Sequence, residues 1–486
     1  MPKDPLHVRR LPERLSCDAS RTIPRFFWPG SEERAQRIMD RVMGLDAGKV
    51  SELLRSTIDE FDDRHPDLND VLTEHYEHAA SHTHLAVEPS DEQRLLIGAY
   101  FTMEYAFESA ALFNPSMVPA RHQEGIAPGA TRFLMSLRAV GEGHISSIVF
   151  RTGTIDGNGD LEIDPVKPQY RKVRVVENAE YHKELFRLKL IEMGAYDPAV
   201  DRILDRLAEQ FTRAQLREAA QCVRCAGGDP AACDLAARNM TWLARSNYEI
   251  QMAEEEDVDQ IVLFPISEAE SRGMEDMRLV RFEDDDGSTR YYGTYTAYDG
   301  HHILPQILES DEVGVARIHT LNGRFAQNKG MALFPRKVDG WYAMIGRIDG
   351  ENLYLLQSDN IHFWNEAERI QEPKYAWDFV QIGNCGSPIE TEAGWLLLTH
   401  GVGPMRRYCI GASLLDLDDP GKVIGQLDEP LLMPTEDERS GYVPNVVYSC
   451  GGMVHNGLLV IPYGISDAAT GFATVPMGDL LDRLRT

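Results

Sequence analysis

Residues Glu392-Ala393-Gly394-Trp395-Leu396-Leu397-Leu398-Thr399-His400-Gly401-Val402 decide the fold: a tight Ala-Gly turn opens an apolar, strand-forming run that the next glycine closes. The same arrangement recurs on both sides. Gly287, Gly340, Gly394 and Gly457 are 53, 54 and 63 residues apart, and each precedes a similar strand, Tyr291–Tyr298, Trp341–Ile348, Trp395–Val402 and Leu458–Ile465. A period near 50 residues with several strands per unit is the mark of a β-propeller rather than a helical solenoid. An earlier unit fits Arg132–Asp160, where Phe133–Arg138 leads through Gly141-Glu142-Gly143 into Ser146–Arg151. The expected architecture is therefore mainly β, a five-bladed propeller.

Helical patterns lie outside these units. Ser31 with Glu32 and Glu33 reads as a capped first turn, and Val50, Leu53, Leu54, Ile58 and Phe61 share one face of a later helix. A second helical stretch runs from about 180 to 238, broken at Gly227-Gly228-Asp229-Pro230. The division expected is an N-terminal helical region over 1–110 and a catalytic propeller over 111–486 that carries a helical insertion at about 166–238.

The chain has 486 residues and a formal net charge of −28. Such an acid excess argues against nucleic-acid or anionic-membrane partners, which need a basic surface, but leaves room for a small anion in a local basic pocket. Seven cysteines do not suggest a disulfide framework, the first residues lack a signal-peptide core, and no apolar run approaches 18 residues. A cytoplasmic protein is the expectation.

Polar residues recur six to eight positions past the glycines: Arg151, Tyr295, Arg347, His400 and Tyr463. If these strands line the propeller axis, the five side chains share one funnel. Glu275-Asp276 with Arg278, just before an apolar strand, could hold one buried carboxylate beside a guanidinium. Lys329, Arg347 and His400, on separate units, would together form an anion site.

The stretches Met274-Glu275-Asp276, Asn328–Pro335, Gln381–Thr391, Thr399–Val402, Val443–Val447 and Tyr463–Asp467 resemble glycoside hydrolase family 130, the β-mannoside phosphorylases and related mannosidases. The resemblance covers roughly residues 111–165 and 240–486. It implies a five-bladed propeller and inverting phosphorolysis of a β-mannoside, giving α-mannose 1-phosphate and a shortened sugar. It also implies that Asp276 is the catalytic acid, acting through the mannosyl 3-hydroxyl. Lys329, Arg347, His400 and Gln381 then fall where phosphate is held, and Asn114, Arg138, Glu275 and Asp467 where the mannosyl unit binds. Many phosphorylases of the family carry Lys where this chain has Gln381, and Arg where it has Lys329. An inverting hydrolase and a non-catalytic sugar-binding propeller stand as alternatives. No cofactor or metal is expected, phosphate serving as co-substrate, and the family's helical appendages imply a homo-oligomer.

The chemistry agrees with a phosphorylase. Inverting hydrolysis uses an acid and a base carboxyl about 6.5–9.5 Å apart. Phosphate is already nucleophilic, so cations that hold it in line can replace the base. Other motifs read as structural. Cys222-x-x-Cys225 with Cys233 lacks a fourth zinc ligand at a suitable spacing, His82-Thr83-His84 and His301-His302 lack partner ligands, and Asp284-Asp285-Asp286-Gly287 is an acidic hairpin turn.

Overall fold

The computed structural model describes residues 6–167, 170–176, 180–227, 229–251, 255–310 and 315–485; residues 1–5 and Gly228, which entered the readings above, lie outside them. The described chain is mainly β with α-helices at three places, near the N-terminus, between the first two meanders and at Met477–Leu484. Gly287, Gly340 and Gly457 have φ of 79°, 80° and 76°, the left-handed region that a glycine occupies without steric penalty. Strands Thr289–Tyr298, Tyr342–Gly346, Gly394–Val402 and Leu458–Ile465 follow the four turn glycines.

These strands are the second members of antiparallel meanders. In chain order the meanders begin at Ala111–Pro119, Gly273–Glu283, Ala332–Leu333, Gln381–Asn384 and Val447–Tyr448. The last is completed from the other end of the chain, because Arg9–Leu15 pairs with Ala469–Pro476. Consecutive meanders touch. Ser146 bridges Gly273, Glu283 bridges Arg336, the Ile382 amide donates to the Glu351 carbonyl at 2.9 Å, and Tyr408 bridges Val446. The last also meets the first, through the bridge of Ser116 to Gly451 and the Cys450 amide donating to the Pro115 carbonyl at 2.8 Å.

In the first meander, Gly141-Glu142-Gly143 joins the second and third strands, Thr131–Val140 and Ser146–Ile155, rather than the first and second. Arg151 therefore lies one strand further out than Tyr295, Arg347, His400 and Tyr463, and the equal spacing past a glycine does not make it their counterpart.

Ser31 caps helix Glu32–Met43, its side chain accepting from the Arg34 amide, and Glu32 and Glu33 complement the N-terminal dipole. This helix buries Ala35, Met39 and Val42 with Val50, Leu96 and Phe101. The helical stretch ends at Tyr100, and Thr102–Ala106 is a strand paired with Thr22–Phe26. Between the first two meanders, helices Lys183–Glu192, Pro198–Leu204, Arg213–Cys225 and Pro230–Arg245 enclose their own core around Phe186, Leu190, Phe211 and Leu243. No helix among the described residues is long and apolar enough to cross a membrane.

Candidate active site

Two bulges build the centre of the site. In Gly273–Glu283 the register against Thr289–Tyr298 slips between Glu275 and Arg278, and in Ala111–Pro119 it slips against Thr131–Val140 between Phe113 and Ser116. Each slip contains a left-handed residue, Asp276 at φ 56° and Asn114 at φ 49°. Asp and Asn tolerate this region better than other side-chain-bearing residues, and a bulge re-aims the side chain it carries. Here both turn towards each other: Asn114 Nδ2 donates to Asp276 Oδ1 at 2.7 Å.

Basic groups surround the carboxyl pair. Arg138 donates from Nη2 to Glu275 Oε1 at 2.8 Å and lies 3.4 Å from Asp276 Oδ1 through Nη1. Lys329 Nζ donates to Glu275 Oε2 at 2.5 Å. Arg278 fastens the bulge from behind, donating to the Asp276 carbonyl at 2.9 Å, the Tyr448 hydroxyl at 2.6 Å and Asn384 Oδ1 at 3.1 Å. Burial alone would raise the Asp276 pKa; the charges of Arg138 and Arg278, the Asn114 hydrogen bond and Lys329 together outweigh it and hold the carboxyl below its ordinary value.

A second group lies beside the first. His400 Nδ1 is 3.1 Å from the Asn384 carbonyl, which can only accept, so that nitrogen carries the proton and Nε2 offers its lone pair to Arg347 Nη1 at 3.5 Å. Burial, then Arg347 and Arg278, push His400 well below the ordinary imidazole pKa, so the ring is neutral. It lies over Gly383, where a Cβ would meet His400 Cε1 at 2.2 Å; only glycine leaves room. Arg347 is half-buried and makes no ion pair among the described residues, and its buried Nε has no hydrogen-bond partner. Gln381 Nε2 is 3.5 Å from the Tyr408 hydroxyl, and the Tyr408 ring stacks on His400 at 5.9 Å.

Asp467 follows strand Leu458–Ile465 at φ 52°. Burial first, and the Asp276 charge next, raise its carboxyl to about 6 against the pull of Arg138 and Arg406. Arg138, Arg347, His400 and Asp467 thus all sit at or just past the same end of second strands, while Asn114, Asp276, Lys329 and Gln381 belong to first strands or the segments leading into them.

Three residues expected on a shared axis go elsewhere. Arg151 binds both oxygens of buried Glu108 at 2.8 and 2.9 Å, Tyr295 donates to Glu270 at 2.8 Å, and Tyr463 to Glu438 at 2.6 Å. Each serves a separate buried carboxylate. Lys329 is paired with Glu275 and is not a free cation. Arg278, Asn384, Tyr408 and Tyr448 also build the site; the first two stand inside motifs read above, and Tyr408 and Tyr448 outside them.

The remaining motifs stay apart from the site. All seven cysteines are free, with Cys222 and Cys225 exposed and Cys233 buried. His302 pairs with Asp299 on the surface, and Lys337 Nζ binds Asp284 at 3.0 Å and Asp285 at 2.7 Å across the acidic turn.

Comparison with known proteins points the same way. The chain is 34% identical over 234 residues to the 1,2-β-oligomannan phosphorylase of Thermoanaerobacter sp. strain X514, covering 46% of this chain and 75% of that one. It is 35% identical over 225 residues to the β-1,2-mannobiose phosphorylase of the same organism, covering 45% and 72%. The solved β-1,2-mannobiose phosphorylase of Listeria innocua, in complex with β-1,2-mannobiose, aligns at a TM-score of 0.45 and 20% identity over 77% of this chain and 92% of that one. The family profile described as β-1,4-mannooligosaccharide phosphorylase matches residues 243–486, and the chain belongs to that family, glycoside hydrolase family 130.

Proposed function

We propose that this protein is an inverting β-mannoside phosphorylase, using inorganic phosphate to release α-mannose 1-phosphate and a sugar one residue shorter. The observation that carries the reading is Arg347: a half-buried guanidinium with no carboxylate partner and an unsatisfied Nε, beside a neutral imidazole and within the same cluster as Asp276. A guanidinium left uncompensated in a protein of net charge −28 is matched to an anion. Relatives about a third identical to this chain over the aligned residues are phosphorylases of β-mannosides.

In this reading Arg347, His400, Gln381 and Lys329 hold phosphate on one side of the anomeric carbon, and Asn114, Arg138, Glu275 and Asp467 hold the mannosyl unit. A phosphate oxygen forms the new bond to that carbon while the bond to the leaving sugar breaks. The Asp276 proton passes through the mannosyl 3-hydroxyl to the departing oxygen. The protein's own charges hold Asp276 ionised; a phosphate dianion facing Arg347, with the substrate shutting out water, reverses that balance and favours the protonated acid. Hydrolysis would instead need a base carboxylate on the phosphate side. Among the described residues no carboxylate pairs with Arg347 or His400, and Glu275 is engaged by Arg138 and Lys329.

The five meanders are read as blades of one propeller, supported by the cyclic series of contacts that returns from the last meander to the first. The propeller spans 111–486 together with Arg9–Leu15, which completes its last blade; the helices between the first two meanders are an insertion at about 166–238, and the rest of 1–110 forms the N-terminal region. Seven free cysteines fit a reducing cytoplasm.

The test is incubation with β-1,2- and β-1,4-mannobiose, with and without phosphate. The expected product is mannose 1-phosphate, formed only with phosphate; free mannose released equally fast without it would show a hydrolase. Asp276→Asn should lower the rate on unactivated substrates by about 10²–10⁴-fold, and full activity would mean that another group is the acid.

A further inference from the structure

Away from this site, Glu309, His319 and His362 bring one oxygen and two imidazole nitrogens within 4.8 Å of one another. They come from three separate places. Glu309 lies on Ile303–Ser310, His319 on its partner strand Val315–Thr320, and His362 in the loop before Glu366–Gln371 of the next meander. The two rings are 4.5 Å apart and tilted by 52°, and buried His362 Nε2 has no hydrogen-bond partner. A buried imidazole nitrogen with nothing to bond is a standing energetic penalty that calls for a ligand or water.

We propose that these three residues bind one divalent transition-metal ion of the zinc class, which fastens the second meander to the third. Two of the three donors are imidazoles, which suits zinc, cobalt or nickel and not calcium or magnesium, whose ligands are oxygens. Zinc–nitrogen bonds of about 2.0–2.1 Å place tetrahedral ligand atoms roughly 3.4 Å apart, so the side chains need close by up to about 1.4 Å.

The backbone at His362 is held by three hydrogen bonds. The backbone amide and Nδ2 of Asn322 both donate to the His362 carbonyl, at 2.9 and 3.0 Å, and the His362 amide donates to Asn360 Oδ1 at 2.9 Å. Preorganised supports of this kind are what a metal ligand requires. Arg290 Nη1 donates to Glu309 Oε1 at 2.7 Å, which orients the carboxylate. A cavity of about 320 Å³, lined by both histidines with Lys189 and Asn247, gives an entry path and room for water as a fourth ligand.

The experiment uses the full chain without a histidine tag, stripped with chelator, loaded with Zn²⁺ and dialysed into metal-free buffer. About one zinc per chain should remain, as three protein ligands and one ion imply. His319→Gln/His362→Gln should retain less than a tenth of that, Cys222→Ser/Cys225→Ser should match the parent, and zinc removal should leave kcat unchanged. An anomalous-scattering map of crystals of the unmutated protein at the zinc edge should place the ion between the two imidazoles, which decides the matter even if the double variant fails to fold. No retained zinc, equal retention by the double histidine variant, or an anomalous peak elsewhere would overturn the site. A changed kcat would overturn its structural role.

Discussion

Asn114 and Asp276 face each other from bulges on the first strands of two adjacent meanders, both in left-handed backbone, joined by a 2.7 Å hydrogen bond. An ordinary pleated strand alternates its side chains between faces, so it could not turn both groups into one site at this point. The bulges produce the geometry, and the polar residues that tolerate φ > 0 make the bulges tolerable.

Asn114→Gly therefore isolates positioning from strain. Glycine accepts the backbone but removes the donor, so the protein should fold with little change in melting temperature while kcat/KM falls by about 10²-fold, the scale of a misplaced catalytic group. Asn114→Ala should lose similar activity and additionally about 1–2 kcal/mol of stability from its left-handed Cβ. Steady-state kinetics and thermal unfolding of the pair check this; equal stabilities would mean that the bulge relaxes when the side chain goes.

His400 makes anion binding depend on pH. Burial and two guanidiniums keep the ring neutral, and a bound anion favours its protonated form. A group whose pKa rises on binding contributes affinity at low pH and loses it as pH rises through the liganded value. Sulfate, whose own charge is constant over this range, should therefore inhibit more strongly at about pH 6 than at about pH 8, by up to about tenfold per pH unit. His400→Gln should flatten the dependence. Competitive inhibition constants across that range give the answer, and a flat profile in the parent protein would remove His400 from the anion site.

The sequence displayed the turns and the strands behind them, because a glycine at positive φ followed by an apolar run is a local signal. It could not show which side chain of a strand reaches the site: Tyr295 and Tyr463 repeat the spacing of His400 on equivalent strands yet serve Glu270 and Glu438. Asp276, Arg347 and His400 stood in recognisable motifs and are brought together. Arg278 was visible only as the neighbour of two acids, since its bonds to Asn384 and Tyr448 span 106 and 170 residues. The pairing of Arg9–Leu15 with Ala469–Pro476 and the meeting of Glu309, His319 and His362 are likewise long-range, with no local pattern to announce them.

Gly383 tests how closely the anion side is packed. A methyl group there would lie 2.2 Å from His400 Cε1 and 2.7 Å from Nε2, so Gly383→Ala must displace the imidazole or the strand. The expected result is a raised KM for phosphate with a stability loss of about 1–3 kcal/mol, the usual range for overpacking. Mannoside binding should change less, because Asn114, Arg138 and Asp276 lie on other meanders. Separate titrations of phosphate and mannoside in the variant distinguish these; an unchanged phosphate KM would show that His400 is dispensable there.

Asp467 should trade stability against function. Its carboxyl titrates at about 6 in the folded protein, against about 3.9 in an unfolded chain. Between these values the folded state holds a proton that the unfolded state has released, so stability is greatest at the acid end and falls as pH rises from about 4 to about 6, remaining lower above that. Asp467→Asn removes the buried charge, and asparagine tolerates the φ of 52° at this turn. The variant should therefore gain on the order of 2 kcal/mol at pH 7 relative to the parent and little at pH 4. Its KM for the mannoside should rise, since a carboxylate that accepts sugar hydroxyls becomes an amide that accepts through one oxygen only. Chemical denaturation at both pH values, with kinetics at pH 7, measures the two effects. A variant no more stable than its parent at pH 7 would mean that Asp467 is solvated well enough to ionise without penalty.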